Sequence, residues 1–412
     1  MHEKNDLQNK KLKNKWYVIF CSLMMALYME IPMINQIVIA MLPSMAGKVM
    51  TALYILCALC VCAVIGYSTI KGRRINIKLL ACLTIVVVLY LLTNLFTTYS
   101  ELELVQFISY TVLAILIPSV FEINGKLFLR ASMTYSIFGI FYIEKIFHIT
   151  NVANQTIGMG ISYAFLPTII AATVYLMLYV KEDQGREKTF FLFVILINVF
   201  YFFKIIQYGS RGPVFSILLC IFFLICFKYK VAKGRIAPVG IKFILLGIGV
   251  ILVLANISTV LGTVQMLLNA QDIHIHTIDK IIRLSSSSEG ISNGRTVIYR
   301  SVLEEIAKNP LLGYGMSTSM HNIGINYPHN FILQMIYDGG IFLTVPILGF
   351  AIAGLLKILR HCNLSEYAVV VAMFFMSVPG AMVSGDLWEN NRLWLVISML
   401  ILGAGIRKFI VI

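Results

Sequence analysis

The sequence predicts an all-α, polytopic integral membrane protein with about twelve membrane-spanning helices, and three observations lead there. Hydrophobic residues fill 59% of the 412 positions and charged residues only 13%, with a mean hydropathy of +0.86. A soluble domain commonly carries about a quarter charged residues to cover its surface. The apolar residues fall in blocks of about twenty, long enough to cross a hydrocarbon core of roughly 30 Å as a helix. Lys and Arg gather in every second connection.

The blocks lie at 16–41, 48–70, 78–97, 103–121, 128–147, 158–180, 188–208, 213–228, 240–261, 330–356, 366–384 and 391–410. Backbone groups in lipid must be satisfied within the segment, so each block is expected as helix. The first carries Glu30 and Pro32, which allow a kink or break there. Lys4, Lys10, Lys11, Lys13 and Lys15 precede it; Lys71, Arg73, Arg74 and Lys78 follow the second block; Lys126 and Arg130, then Lys181, Arg186 and Lys188, fill the next even-numbered loops. Lys228, Lys230, Lys233 and Arg235 follow the eighth, Lys357 and Arg360 the tenth, and Arg407 and Lys408 the last. Such an excess marks cytoplasmic loops, so both termini are expected inside. The net charge of +14 is mostly this signature and leaves little for a nucleic-acid partner to explain. The lysine-rich start and the length of the first block argue against a cleaved signal peptide. All eight cysteines fall in spans or a cytoplasmic loop, so no disulfide framework is expected on the outer face. Cys57, Cys60 and Cys62 read as small packing residues, and Trp16, Trp388 and Trp394 as an interfacial aromatic belt.

The chain thus divides into nine spans over 1–261, a large extracytoplasmic loop over 262–328, and three spans over 329–412. A loop this long is usually functional or disordered. Helical patterning over 295–307, with Val302 and Ile306 on one face, argues for short helices within it.

Polar candidates concentrate on the outer face. Gly209-Ser210-Arg211-Gly212-Pro213 places Arg211 at the start of the eighth span, with Lys204 and Gln207 one turn apart before it. These cations either anchor headgroups or face a common site. Ser292-Asn293-Gly294-Arg295 reads as a helix start, where an Arg opposes the macrodipole unless an anion binds beside it. Its other reading is a solvated Arg; Arg300 is the weaker candidate. His329, at the start of the tenth span, should be harder to protonate there and could act as a general base. It could equally cap backbone or bind headgroups. Asp338, nine residues on, falls near the opposite helix face. Tyr208, Tyr299, Tyr314 and Tyr327 could stack on sugars or belong to the belt. A zinc site from His274, His276 and His321 lacks a supporting motif, and no nucleotide-binding motif is present.

Ser210-Arg211-Gly212, Gly294-Arg295-x-x-x-Tyr299, Asn309-Pro310-Leu311-Leu312-Gly313-Tyr314-Gly315 and His329-Asn330-x-x-Leu333-Gln334 occur in that order around one late loop. In this order they resemble the O-antigen ligase and Wzy polymerase superfamily. The resemblance implies a metal-independent, cofactor-free glycosyltransferase of the bacterial cytoplasmic membrane, acting on its outer side. The donor would be an undecaprenyl-diphosphate-linked oligosaccharide, with membrane lipids, a flippase and a chain-length regulator as further partners. Arg211 and Arg295 would bind the diphosphate and His329 would deprotonate the acceptor hydroxyl, supported by Lys204, Gln207, Tyr299, Arg300 and Asn330. A polymerase of lipid-linked repeat units is the reading adopted. The alternatives are a ligase that passes finished glycan to lipid A core, a flippase or transporter, and a non-catalytic scaffold.

Overall fold

The computed structural model describes residues 2–70, 76–94, 101–142, 145–146, 155–208, 211–233, 266, 295–361, 364–382, 385–403 and 410–411. The predicted ninth span, the cap residues Ser292 and Asn293, and His274 and His276 lie outside the described residues, as do the side chains of Gln207, Arg211 and His321.

The described chain is helical along nearly every apolar block. α1 (His2–Met41), α2 (Ala46–Ile70) and α3 (Ile77–Asn94) come first. α4 (Glu101–Gln106) continues through a π-helical stretch, Phe107–Val112, into α5 (Leu113–Val120). α6 (Gly125–Thr134) tightens into 3-10 helix over Tyr135–Tyr142, and α7 (Gln155–Leu178), α8 (Gly185–Tyr208) and α9 (Arg211–Lys233) follow. Then come α10 (Arg295–Lys308), the short α11 (Ser319–Ile323), α12 (Phe331–His361), α13 (Leu364–Ala381) and α14 (Asn391–Leu402). Five stretches, Lys15–Met41, Pro43–Ser68, Gly160–Leu178, Gly185–Ile206 and Phe331–Arg360, are each long and apolar enough to cross a bilayer. Their outward faces stay apolar: Leu59 is 63% exposed, Leu196 66% and Phe342 63%. Apolar surface on that scale suits lipid rather than water. These are the helices of an all-α, multi-pass membrane protein.

Three expectations meet corrections. α1 runs unbroken across Pro32. The fifth block is not one α-helix, because neighbouring side chains compete for its backbone. Asn198 Nδ2 donates to Met133 O (3.2 Å) and Ser136 Oγ (2.9 Å), and Tyr201 Oη donates to Ser136 O (2.9 Å). Trp388 and Trp394 are not in an interfacial belt. They stack at 5.4 Å inside the core, where the Trp388 indole donates to Asp338 Oδ2 (2.7 Å). Trp16, 67% exposed, keeps the belt reading.

α14 is the centre of the bundle, packed against α5, α12 and α13 and buried all round, as expected of a helix with no lipid-facing side. The two ends of the bundle differ. At one end Lys126 and Arg130 of α6 meet Asp183 at 2.9 and 2.6 Å, and Arg130 also pairs with Glu187. There too Ile123–Asn124 (β1) pairs in parallel with Ile410–Val411 (β2). The loops at 121–125 and 179–185 and the segment 410–411 therefore share a face, as the charge alternation requires of loops on one side of a membrane. The starts of α7, α9, α10, α12 and α14 meet at the other end.

A latch between α10 and α12 sets the geometry of that second end. α12 is interrupted at Gly340 (φ 59°, ψ −162°), a conformation open essentially to glycine alone. The interruption frees backbone groups, and the Asn309–Gly315 loop fills them. Tyr314 N donates to Tyr337 O (2.8 Å), Gly315 N to Asp338 O (2.7 Å) and Ile341 N to Pro310 O (2.9 Å). A Cβ on Gly313 would meet backbone of Tyr337 and Asp338 at 2.6 Å. Tyr314 also stacks on Tyr337 at 5.1 Å and donates to Glu305 (2.9 Å). From the latch α10 rises about 21 Å to Arg295 and the first part of α12 about 15 Å to Phe331, at ~1.5 Å per residue. Both arms end beside the same cleft.

Candidate active site

The cleft has a volume of about 510 Å³. Arg295 and His329 line it together, with Tyr163 of α7, Tyr327, Ser377 of α13 and Arg392 of α14. Two of the three residues expected to act together are therefore brought together. The third, Arg211, is the first residue of α9, and its neighbour Gly212 touches the cleft wall: a Cβ there would come within 1.9 Å of Tyr163 Oη. Gly380 of α13 flanks the same ring, where a Cβ would lie 2.9 Å from Tyr163 Cε1. The glycine after Arg211 thus has a plain physical purpose, since it lets α9 close on Tyr163.

His329 sits just ahead of α12 with φ +56°. A left-handed backbone is uncommon for any residue with a side chain, though histidine tolerates it better than most. Strain of this kind usually persists only where the surroundings hold it. Here Tyr327 packs edge-on at 4.4 Å, and Asn330 caps α12, its Oδ1 accepting from Ile332 N (3.0 Å) and Leu333 N (3.1 Å). His329 Nδ1 is buried and has no hydrogen-bond partner. Burial, and secondarily the positive charge of Arg295, hold its pKa below the ordinary histidine value. The ring is therefore neutral and unoccupied as an acceptor near neutral pH.

Tyr163 Oη and Ser377 Oγ are likewise buried without a partner. Buried polar groups nearly always find a partner, so three orphans around one cleft describe a place shaped for something polar.

Arg392 escaped the sequence reading. It is 7% exposed and fixed by main-chain carbonyls: Nε donates to Met29 O (2.8 Å), Nη1 to Tyr163 O (2.8 Å) and Nη2 to Ala164 O (3.3 Å). Three of its five N–H donors are thus used, and the others remain for a ligand. Glu30, adjacent to Met29, accepts a hydrogen bond from Ser132 and lies near the Arg392 guanidinium. A clue existed in the sequence: Arg392 stands at the second position of the last apolar block, just after Asp386 and Glu389, and an arginine at the outer end of a span is unexpected under the positive-inside rule. Gln334 organises that segment, donating to Asp386 Oδ1 (3.0 Å) and accepting from Leu387 N (2.8 Å). Burial raises the pKa of both Asp386 and Glu389 from the ordinary carboxylate values.

Other candidates lie elsewhere. Tyr299 and Arg300 face a shallow surface on the far side of α10 with Leu303 and Glu304. Lys204 lies over the Phe200 ring at 5.7 Å and is absent from the cleft lining. Asn330 is a helix cap, and Asp338 is engaged by Trp388 rather than His329. Among the described residues no group of three or more His, Cys, Asp or Glu is placed to hold a metal.

No curated protein matches the chain. Residues 196–348, which carry Arg211, Arg295, the latch and His329, match the family model described as O-antigen ligase, and this supports membership of the chain in the O-antigen ligase/Wzy superfamily.

Proposed function

We propose that the chain is a polymerase that joins undecaprenyl-diphosphate-linked oligosaccharide repeat units on the outer side of the bacterial cytoplasmic membrane. The coarser statement, an O-antigen ligase- or polymerase-type enzyme acting on lipid-linked glycans in a membrane, is supported by the family match. The finer reading carries the predicted twelve spans, inside termini and outer 262–328 loop. One observation supports it above the others: an orphaned, neutral histidine and two arginines share one cleft.

In this reading Arg295 and Arg211 grip the donor diphosphate, with Arg392 adding a fixed charge. Guanidinium forks suit phosphate oxygens better than ammonium does. The acceptor hydroxyl attacks C1 of the donor sugar while His329 takes its proton. The C1–O bond to phosphate breaks, and the lipid diphosphate leaves with the bonding electron pair, stabilised by the arginines. No step calls on a metal.

The ligase alternative uses the same cleft and differs in acceptor. The family match gives no support to the flippase reading. The test is to supply purified protein with lipid-linked repeat unit alone. A ladder of rising chain length supports the polymerase. Transfer of preformed glycan to a separate acceptor, with no ladder, would replace it by the ligase.

A further inference from the structure

A second cavity, of about 330 Å³, opens at the same end of the bundle between α1, α2 and the π-helical stretch. Asn35, Thr51, Tyr54, Gln106, Ser109 and Tyr110 give its polar lining, and the remaining lining residues are uncharged as well. Two groups in it are unsatisfied: Asn35 Oδ1 and Tyr54 Oη are buried without a hydrogen-bond partner, and Tyr54 is only 5% exposed. A dry apolar void would not be lined this way, because a buried polar group left unpaired is costly. π-Helical turns are rare and recur at functional sites. This one places Ser109 and Tyr110 in the cavity wall.

The cavity backs onto the cleft. Tyr28 and Tyr54 pack edge to face at 6.2 Å, Tyr54 and Tyr110 at 4.8 Å. Behind them Asn391 Nδ2 donates to Tyr28 O (3.1 Å) and Thr111 Oγ1 donates to Trp388 O (3.3 Å). Asn390 and Arg392 of the same segment line the His329 cleft. One wall of side chains therefore separates the two chambers. The chemistry is that of neutral polyol recognition: aromatic faces, amides and hydroxyls without charge. The volume is at the small end of ligand pockets, ~300–1,000 Å³, which suits one sugar ring rather than a chain.

We propose that this cavity is a carbohydrate subsite holding one sugar of the glycan remote from the bond being formed, so that α1, α2 and the π-helical stretch read the repeat unit while the cleft does the chemistry. The proposal rests on the glycan-transferase reading above.

Two variants test it. Asn35→Leu removes the orphan acceptor at similar size. Gly47→Phe fills the cavity from a position where an added Cβ meets nothing within 4 Å. Purified full-length protein is probed with oligosaccharide released from the lipid-linked repeat unit, by saturation-transfer NMR, and with the intact repeat unit for turnover. Both variants should weaken oligosaccharide binding and raise KM about tenfold, the scale of one lost contact worth ~1.4 kcal/mol, while kcat stays within about twofold. Asn35→Leu should unfold at or above the wild-type temperature, because it removes an unpaired polar group; a merely structural role would lower it. His329→Gln should bind oligosaccharide normally and fail to turn over. Unchanged binding and KM in both cavity variants, or no oligosaccharide binding by the wild type, would overturn the subsite and leave a cavity for water or lipid. Loss of binding in the cavity variants with normal turnover in His329→Gln would instead keep the subsite and reject the proposed chemistry.

Discussion

Replacing Gly340 by alanine should break the latch that brings Arg295 and His329 together. Its backbone (φ 59°, ψ −162°) lies in a region that costs a residue with a side chain about 1–3 kcal/mol. The added Cβ would also come within 2.2 Å of Leu311 O, which is main chain and cannot swing aside. Relief requires the loop to retreat, stretching the Ile341 N–Pro310 O and Phe342 N–Leu311 O bonds of 2.9 and 3.3 Å. One such bond contributes ~1 kcal/mol net, so with both bonds lost the sum is about 3–5 kcal/mol of destabilisation. The functional effect should be larger than the loss of fold, since a shift of about 1 Å in reacting groups can cost 10²-fold. Gly349→Ala is the control: it sits on the same helix with nothing within 4 Å of the new Cβ, and should be neutral or slightly stabilising. The assay is thermal unfolding in detergent alongside glycan-transfer rate at fixed protein. Gly340→Ala that unfolds at the wild-type temperature and turns over at the wild-type rate would refute the reasoning.

Further expectations follow from the cleft and the topology. In a pH profile of kcat/KM the acid limb should lie below the ordinary histidine value of 6.5, because burial and Arg295 lower the His329 pKa; protonation there removes the base. Arg295→Gln should move that limb upward, whereas Arg295→Lys should leave it near its place yet rescue turnover poorly; a limb unmoved by Arg295→Gln would separate the two residues. Gly212→Ala should push Tyr163 from the cleft and lower the unfolding temperature, and Tyr163→Phe in the same chain should restore part of it, the clash being with the hydroxyl. No recovery in the double variant would place the fault elsewhere. In a background lacking the native cysteines, Gly185→Cys should resist an impermeant thiol reagent in intact cells and Ser288→Cys should react. Labelling at 185 would invert the inside/outside assignment.

The helices were legible because hydrophobic length is a one-dimensional property, and the charge alternation reads the same way. Arg295, His329 and Arg211 could be singled out as candidates for another reason: a cation or a histidine at a helix start is locally disfavoured, and the ordered motifs around them resemble the O-antigen ligase and Wzy polymerase superfamily. What escaped depends on contacts distant in sequence. The fifth block looks like an ordinary span until Asn198 and Tyr201 of α8 claim its carbonyls. Trp388 and Trp394 follow the interfacial statistics until Asp338, fifty residues away, accepts a hydrogen bond from the indole N–H of the first. Asp338 itself had no reading without that partner. Arg392 was hidden inside an apparent span, and only its three carbonyl partners on α1 and α7 reveal that its charge is held at the cleft. The Asn309–Gly315 motif was recognisable as a motif, but its purpose needed the break at Gly340.

The most direct measurement is the transfer rate of purified protein in lipid nanodiscs, given undecaprenyl-diphosphate-linked repeat unit, for wild type and His329→Gln with EDTA present. The wild type should keep its rate in EDTA, and His329→Gln should fall by about 10²–10⁴-fold, the scale for loss of a general base, while still binding the donor. Wild-type turnover in His329→Gln would contradict the account, and loss of wild-type activity in EDTA would contradict metal-independent transfer.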